Sequence, residues 1–234
     1  MYKYIFILTL LLNNAFCSMA SDEKSKVLER LKAYNFNETT LTEHLIDTLA
    51  KYSYNTHTTT YIKDEQKIKK ANYNPALKLG ERWHLDSVDH RIPTEKERAA
   101  FNKNHNQDKY GASGKIADTS WHIVAEDLNY LKVSFRFEPN GLPELFSFLG
   151  KCIGYAYFNK KTKKLERAQF INEEPVRFHI FQVKDLEVNI YYSFNTAKKK
   201  YFVDKEVAEL SISLLGNKVQ VKEICRFSNY KKVK

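Results

Sequence analysis

Leu131-Lys132-Val133-Ser134-Phe135-Arg136-Phe137 (LKVSFRF) carries an apolar side chain at every odd position and a polar one between each. Successive side chains of an extended chain point to opposite faces, so the segment reads as a strand with one dry and one wet face. The period of two continues outward from it. Val176, Phe178 and Ile180 alternate with Arg177 and His179; Leu186, Val188, Ile190 and Tyr192 recur at every second position. Ala208, Leu210, Ile212 and Leu214 alternate with Glu209, Ser211 and Ser213, and Val219 and Val221 follow a Gly216-Asn217 turn. Such alternation belongs to antiparallel sheets wetted on one side. The joins read as short turns: Pro139-Asn140-Gly141, two lysine-rich loops at 159–164 and 195–200, and Gly216-Asn217. Earlier strands are expected at 53–62, 65–74 and 82–88.

Toward the N-terminus the period lengthens. Val27, Leu28, Leu31 and Tyr34 recur at helical spacing, and Leu41, Leu45, Ile46, Leu49 and Tyr52 form a second amphipathic set. Thr40 and Glu43 have the spacing of a capping box, and Thr94 and Glu97 repeat it after Pro93, starting a helix toward His105. Residues 106–119 read as a polar loop. The expected fold is mainly β (α+β): a curved antiparallel sheet or incomplete β-barrel of roughly ten strands, with covering helices from the N-terminal part. No linker divides it, so residues 21–234 are expected to form a single domain.

The first twenty residues stand apart. One lysine, an apolar run from Tyr4 to Leu12, and small residues at Ser18 and Ala20 have the pattern of a secretory signal peptide cleaved between Ala20 and Ser21. The run is too short to span a bilayer. Its removal leaves 214 residues, enough for one sizeable core, and lowers the formal charge from +10 to +9. The expected location is therefore export, to the periplasm in a Gram-negative cell and otherwise to the medium. The excess charge favours anionic surfaces, but the lysines gather in turns, where they read as solvated ends that keep sheet edges unpaired. Cys152 and Cys225 survive processing; they read either as a disulfide or as two buried thiols.

His84-Leu85-Asp86-Ser87-Val88-Asp89-His90 gathers two histidines and two aspartates. On a strand, Trp83, Leu85 and Ser87 share one face and His84, Asp86 and Val88 the other. A metal site needs a further ligand and an oriented outer shell, and neither is evident, so the segment reads as a solvated strand-to-helix corner. Gly111-Ala112-Ser113-Gly114 lacks the spacing and lysine of a phosphate loop, no serine lies in a nucleophile elbow, and Glu173-Glu174 beside Pro175 reads as a strand entrance. No enzyme activity, cofactor or metal is expected.

The order of leader, N-terminal helices and strand meander ending FSNYKKVK at 227–234 resembles the outer-membrane lipoprotein carrier (LolA-like) family. Asn74-Pro75, then Gly80-Glu81-Arg82-Trp83-His84-Leu85-Asp86-Ser87-Val88, then Ile92-Pro93-Thr94, are similar to a motif of uncharacterised exported proteins of that type. Phe227 to Val233 is similar to the family's final strand. The resemblance implies an incomplete β-barrel whose helices close an apolar cavity for acyl chains, and it brings no catalytic residues. The arginine that holds the lid in such carriers has no matching position here, and the helix at 95–105 with its following loop is additional to the family plan.

Two functions fit these observations. One is an exported, non-enzymatic binder of a lipid or acylated protein, holding it on the apolar sheet face at Val133, Phe135, Phe137, Phe178, Ile180, Val188, Ile190, Tyr192, Ile212 and Leu214. The other is an exported interaction module with a filled core, whose basic loops bind a protein or polyanion. The expected partners are a lipid or acyl chain and another exported or membrane protein, with no nucleic acid and at most peripheral membrane contact.

Overall fold

The computed structural model describes residues 22–39, 41–42, 51–105, 114–142, 144–178, 181–214 and 217–233. The leader with its Ala20-Ser21 junction lies outside them, as do Thr40 and Glu43, most of the second helical set, and Ile180. Residues 22–32 form helix α1. The chain is already helical at 38–39, so that helix starts upstream of the expected Thr40 cap. Tyr52, read as the end of that helix, instead opens the first strand.

Eleven strands follow: β1 (Tyr52–Ile62), β2 (Glu65–Tyr73), β3 (Trp83–Val88), β4 (His122–Glu126), β5 (Tyr130–Phe135), β6 (Cys152–Asn159), β7 (Lys164–Asn172), β8 (Val176–Phe178), β9 (Phe181–Asn195), β10 (Lys200–Leu214) and β11 (Asn217–Lys232). They form one antiparallel sheet in the order β3-β2-β1-β11-β10-β9-β7-β6-β5-β4, with β8 beside β9. The order ends at β3 and β4, so the sheet is open and does not close into a barrel. The three early strands fall within a residue or two of their expected positions. The pairing of β1 with β11, from Tyr52↔Lys232 to Ile62↔Val221, joins the first strand to the last and is not a hairpin of the expected meander.

The lysine loops share an asparagine-anchored turn. Asn159 Oδ1 accepts from the amides of Lys161 and Thr162, and Asn195 Oδ1 from that of Lys198, each at 2.9 Å. Four residues after each asparagine, Lys163 and Lys199 adopt positive φ. Their lysines are not simply solvated. Lys160 pairs with Glu126 at 3.0 Å, and Lys163, Lys164 and Lys198 lie over the rings of Tyr34, Phe194 and Tyr52. Pro139-Asn140-Gly141 is not a hairpin turn either. It begins a connection through a 3-10 helix at Glu144–Lys151 that packs Phe146, Phe148 and Leu149 on the core. The expected polar loop is already structured at Ile116, which is fully buried and bridges to Phe137.

Helix α2 (Glu95–His105) starts as its capping box demands. The Thr94 amide donates to Glu97 Oε2 at 2.9 Å and the Glu97 amide to Thr94 Oγ1 at 3.3 Å. The Arg91 guanidinium grips the same carboxylate and, with Thr94, holds its pKa at about 2. At the preceding corner a register shift at Lys70/Ala71 moves Val88 onto the face of Trp83 and Leu85, where all three are buried, against the alternation expected from sequence. His84 and Asp86 face solvent, and Asp89 Oδ1 accepts from the Ile68 amide at 2.7 Å.

Candidate functional site: the inner sheet face between two covers

Two sets of side chains cover the apolar face. Val27 and Leu31 of α1, with Tyr34, Phe36 and Leu41 after it, close the β5–β9 half; Phe36 meets Phe158 at 5.1 Å and Tyr201 at 5.5 Å between ring centroids. Phe101 of α2 closes the β1–β3 end with Tyr54, Tyr73, Trp83 and Leu85. Phe227 on β11 packs against both clusters. Between the covers lies the inner face of β9, β10 and β11.

Cross-strand register shows how the face changes character. One row runs Val133, Ala156, Ala168, Ile190, Glu206, Cys225, Thr58, Lys69 and Val88 across β5, β6, β7, β9, β10, β11, β1, β2 and β3. The next runs Phe135, Gly154, Phe170, Val188, Ala208, Glu223, Thr60 and Lys67. The first members are buried. From Ile190 on, the first row stays half-buried until Val88, and in the second the change comes at Ala208. Leu210 and Ile212 extend the half-buried apolar strip along β10, and Val219 and Val221 lie opposite them on β11.

The candidate residues divide along this boundary. Val133, Phe135 and Phe137 are at most 2% exposed, and Val188 and Tyr192 are also core, so these five fill space and do not line an opening. Ile190 and Ile212 are half-buried and pack at the edge of the core. Phe178 pairs with Phe181 and Leu214 with Asn217 at strand ends, and their side chains lie outside the described set, with Ile180. Sequence reasoning did not single out Glu206 or Glu223, although the alternation of Ala208, Leu210 and Ile212 carries Glu206 on their face. The shift between Val203 and Lys205 brings Val203 onto the same inner face as Glu206 and Ala208.

Burial pushes the Glu206 carboxyl up to about 7, with the Glu223 charge adding to the rise. Tyr192 is held above the usual phenol range by burial and by Glu206, and its hydroxyl has no hydrogen-bond partner among the described residues. Thr58 Oγ1 donates to Cys225 Sγ at 3.4 Å and Thr60 Oγ1 to Glu223 Oε2 at 3.0 Å. His105 at the end of α2 stacks on Phe101 at 3.9 Å, and burial lowers its pKa. The arrangement is an apolar strip ending in a patch of protonatable oxygens.

Cys152 and Cys225 are free thiols. Four strand steps separate β6 from β11, about 19 Å along the sheet against the roughly 7 Å that a disulfide can bridge. The two are therefore separate thiols, Cys152 buried and Cys225 half-buried. Among the described residues no group of three or more His, Cys, Asp or Glu side chains converges as a metal site, and no helix is long and apolar enough to cross a membrane.

No protein-family model matches the chain, and no curated protein matches it. Among solved structures it is similar to a LolA superfamily protein from Nitrosomonas europaea, at 10% identity and a TM-score of 0.39, covering 90% of this chain and 93% of that one. It is also similar to a DUF1329 family protein from Desulfovibrio piger, at 9% identity and a TM-score of 0.38, covering 86% and 92%.

Proposed function

We propose that this chain is an exported, non-enzymatic binder of an apolar ligand, a lipid or the acyl chain of an acylated protein, acting as a carrier or chaperone by reversible sequestration. The observation that carries the reading is the incompletely covered strip of Ile190, Ala208, Leu210 and Ile212, which lies between two covered clusters on the face that elsewhere forms the core. Each methylene moved onto such a strip contributes about 0.8 kcal/mol, so a long acyl chain outweighs the cost of its immobilisation. Export rests on the leader pattern of residues 1–20.

A second reading, an exported interaction module with a filled core, draws support from the complete burial of Val133, Phe135 and Phe137. Native mass spectrometry of the secreted protein, with organic extraction, separates the two. A stoichiometric acyl-chain mass that disappears in Ile190→Asp and Ile212→Asp supports the binder. A clean apo mass after incubation with lipids and acylated peptides refutes it.

A further inference from the structure

The opposite face of the sheet carries a row that the sequence does not reveal. Lys132 lies between buried Leu131 and Val133, Tyr157 between Ala156 and Phe158, and Tyr191 between Ile190 and Tyr192, so all three point away from the core. Register links them directly: Lys132↔Tyr157, Tyr157↔Arg167, Arg167↔Tyr191, Tyr191↔Lys205, Lys205↔Arg226, Arg226↔His57 and His57↔Lys70. Eight adjacent strands thus contribute five cations, two tyrosines and one histidine, with no carboxylate in the row. At about 4.8 Å per strand the row is about 34 Å long.

The arrangement opposes the sheet's own stability. Cross-strand pairs gain from opposite charge and lose from like charge, yet Lys205 faces Arg226, and His57 sits between Arg226 and Lys70. Among the described residues no carboxylate forms an ion pair with any of the five cations. Glu187, which feels Arg167, is bonded instead to Gln169 and Asn189. The imidazole of His57 is driven below its ordinary pKa by burial and by Lys70 and Arg226, with His90 adding to this, and its Nε2 has no partner among the described residues.

The cations are also held in place. Arg167 lies 3.8 Å from the centroid of Tyr157, Lys205 4.1 Å from that of Tyr191, and Lys132 3.9 Å from that of Tyr155 in the neighbouring row. Each of these cations covers one face of its ring and competes there with a stacking base or sugar. A row one side chain wide on a twisted, coiling sheet follows an arc, which a flexible chain can track and a flat bilayer cannot.

We propose that this row is a docking line for a linear chain of phosphate anions, read through charge alone. A bound polyanion neutralises the like-charge contacts and releases its counterions, so binding weakens steeply with salt.

The test uses the whole mature protein and fluorescently labelled inorganic polyphosphate long enough to span the row, titrated at several salt concentrations. The triple variant Arg167→Gln/Lys205→Gln/Arg226→Gln is expected to bind at least tenfold more weakly. Its salt slope should fall by about two to three, as three lost cation contacts require. The control Lys96→Gln/Lys161→Gln/Lys184→Gln, with the same change in net charge, is expected to bind within about twofold of wild type. Equal losses in the two triples, or no binding by wild type, overturn the proposal. So does tighter, row-dependent binding of a mixed-sequence single-stranded DNA of equal charge, or of phosphatidylglycerol vesicles. Should the row triple fail to fold, wild type still decides: bound polyphosphate must raise the His57 pKa in an NMR titration, and an unchanged titration refutes the docking line.

Discussion

Gly154→Ala probes the packing that fixes the inner face. Gly154 stands on β6 between Phe135 and Phe170, and a Cβ built on it would lie 2.6 Å from both Cε2 and Cζ of Phe135 and 3.1 Å from Cε1 of Phe170. The Phe135 ring has no room to step aside. It is fully buried and meets Trp121 at 6.2 Å, Phe137 at 5.5 Å and Phe170 at 6.1 Å between centroids. Overpacking a core by one methyl costs about 1–3 kcal/mol, and a fixed aromatic obstacle puts this site at the upper end. Against that, alanine lowers the entropy of the unfolded chain by an equivalent of about 0.4–1 kcal/mol. The expected net loss is about 2 kcal/mol, or about 4–8 °C in Tm for a chain of this length.

Urea unfolding followed by tryptophan fluorescence measures the loss, and a double-mutant cycle identifies its cause. Phe135→Leu alone opens a cavity and destabilises. In the Phe135→Leu background the added methyl has space, so Gly154→Ala should cost at least about 1 kcal/mol less than it does alone. A Gly154→Ala protein within about 0.5 kcal/mol of wild type, or an equal loss in both backgrounds, would show that this ring does not set the requirement for glycine.

Glu206 gives a pH signature. Its carboxyl titrates near 4.5 in the unfolded chain and about 7 in the folded one, so stability present below pH 4.5 is lost as pH rises to about 7. Glu206→Gln should match wild type at pH 4 and exceed it by about 1–2 kcal/mol at pH 8, with the shift discounted for partial exposure; a gap independent of pH would contradict the inner-face placement. The thiols of Cys152 and Cys225, raised by burial to about 11 and about 12, should label with a thiol reagent only slowly at pH 8 until the chain is unfolded. Rapid native labelling of the buried Cys152, or a mass two hydrogens short after mild oxidation, would contradict this placement of the two thiols.

What the sequence made legible follows from the range of the interactions involved. Side-chain alternation is set by neighbours two residues apart, so β5 and β9 to β11 could be read directly and β1 to β3 placed within a residue, and the Thr94-Glu97 cap is complete within four residues. The β1–β11 pairing brings Thr58 to Cys225 across 167 positions, and no local pattern encodes that contact. Bulges are equally silent. The shift at Lys70/Ala71 moves Val88 to the inner face, and that at Val203/Lys205 sets Val203 on the same face as Glu206; plain alternation foretells neither. The apolar candidates were identified as a face, but periodicity could not separate the five that fill the core from Ile190 and Ile212, because that division depends on where α1 and α2 stop covering the sheet.

The same long-range pairing organises both faces at once. Because β11 lies between β10 and β1, it sets Cys225 beside Glu206 and Thr58 on the inner side and Arg226 beside Lys205 and His57 on the outer side. A substitution that weakens the β1–β11 ladder would therefore disturb the apolar gap and the cationic row together. Substitutions confined to one face should leave the other intact: Ile190→Asp tests the gap without touching a cation, and Arg226→Gln tests the row without touching the apolar strip. If the ligand-binding and polyanion-binding losses fail to separate in that way, the two faces are not independent sites, and the sheet acts as a single switchable element whose two sides respond to one occupant.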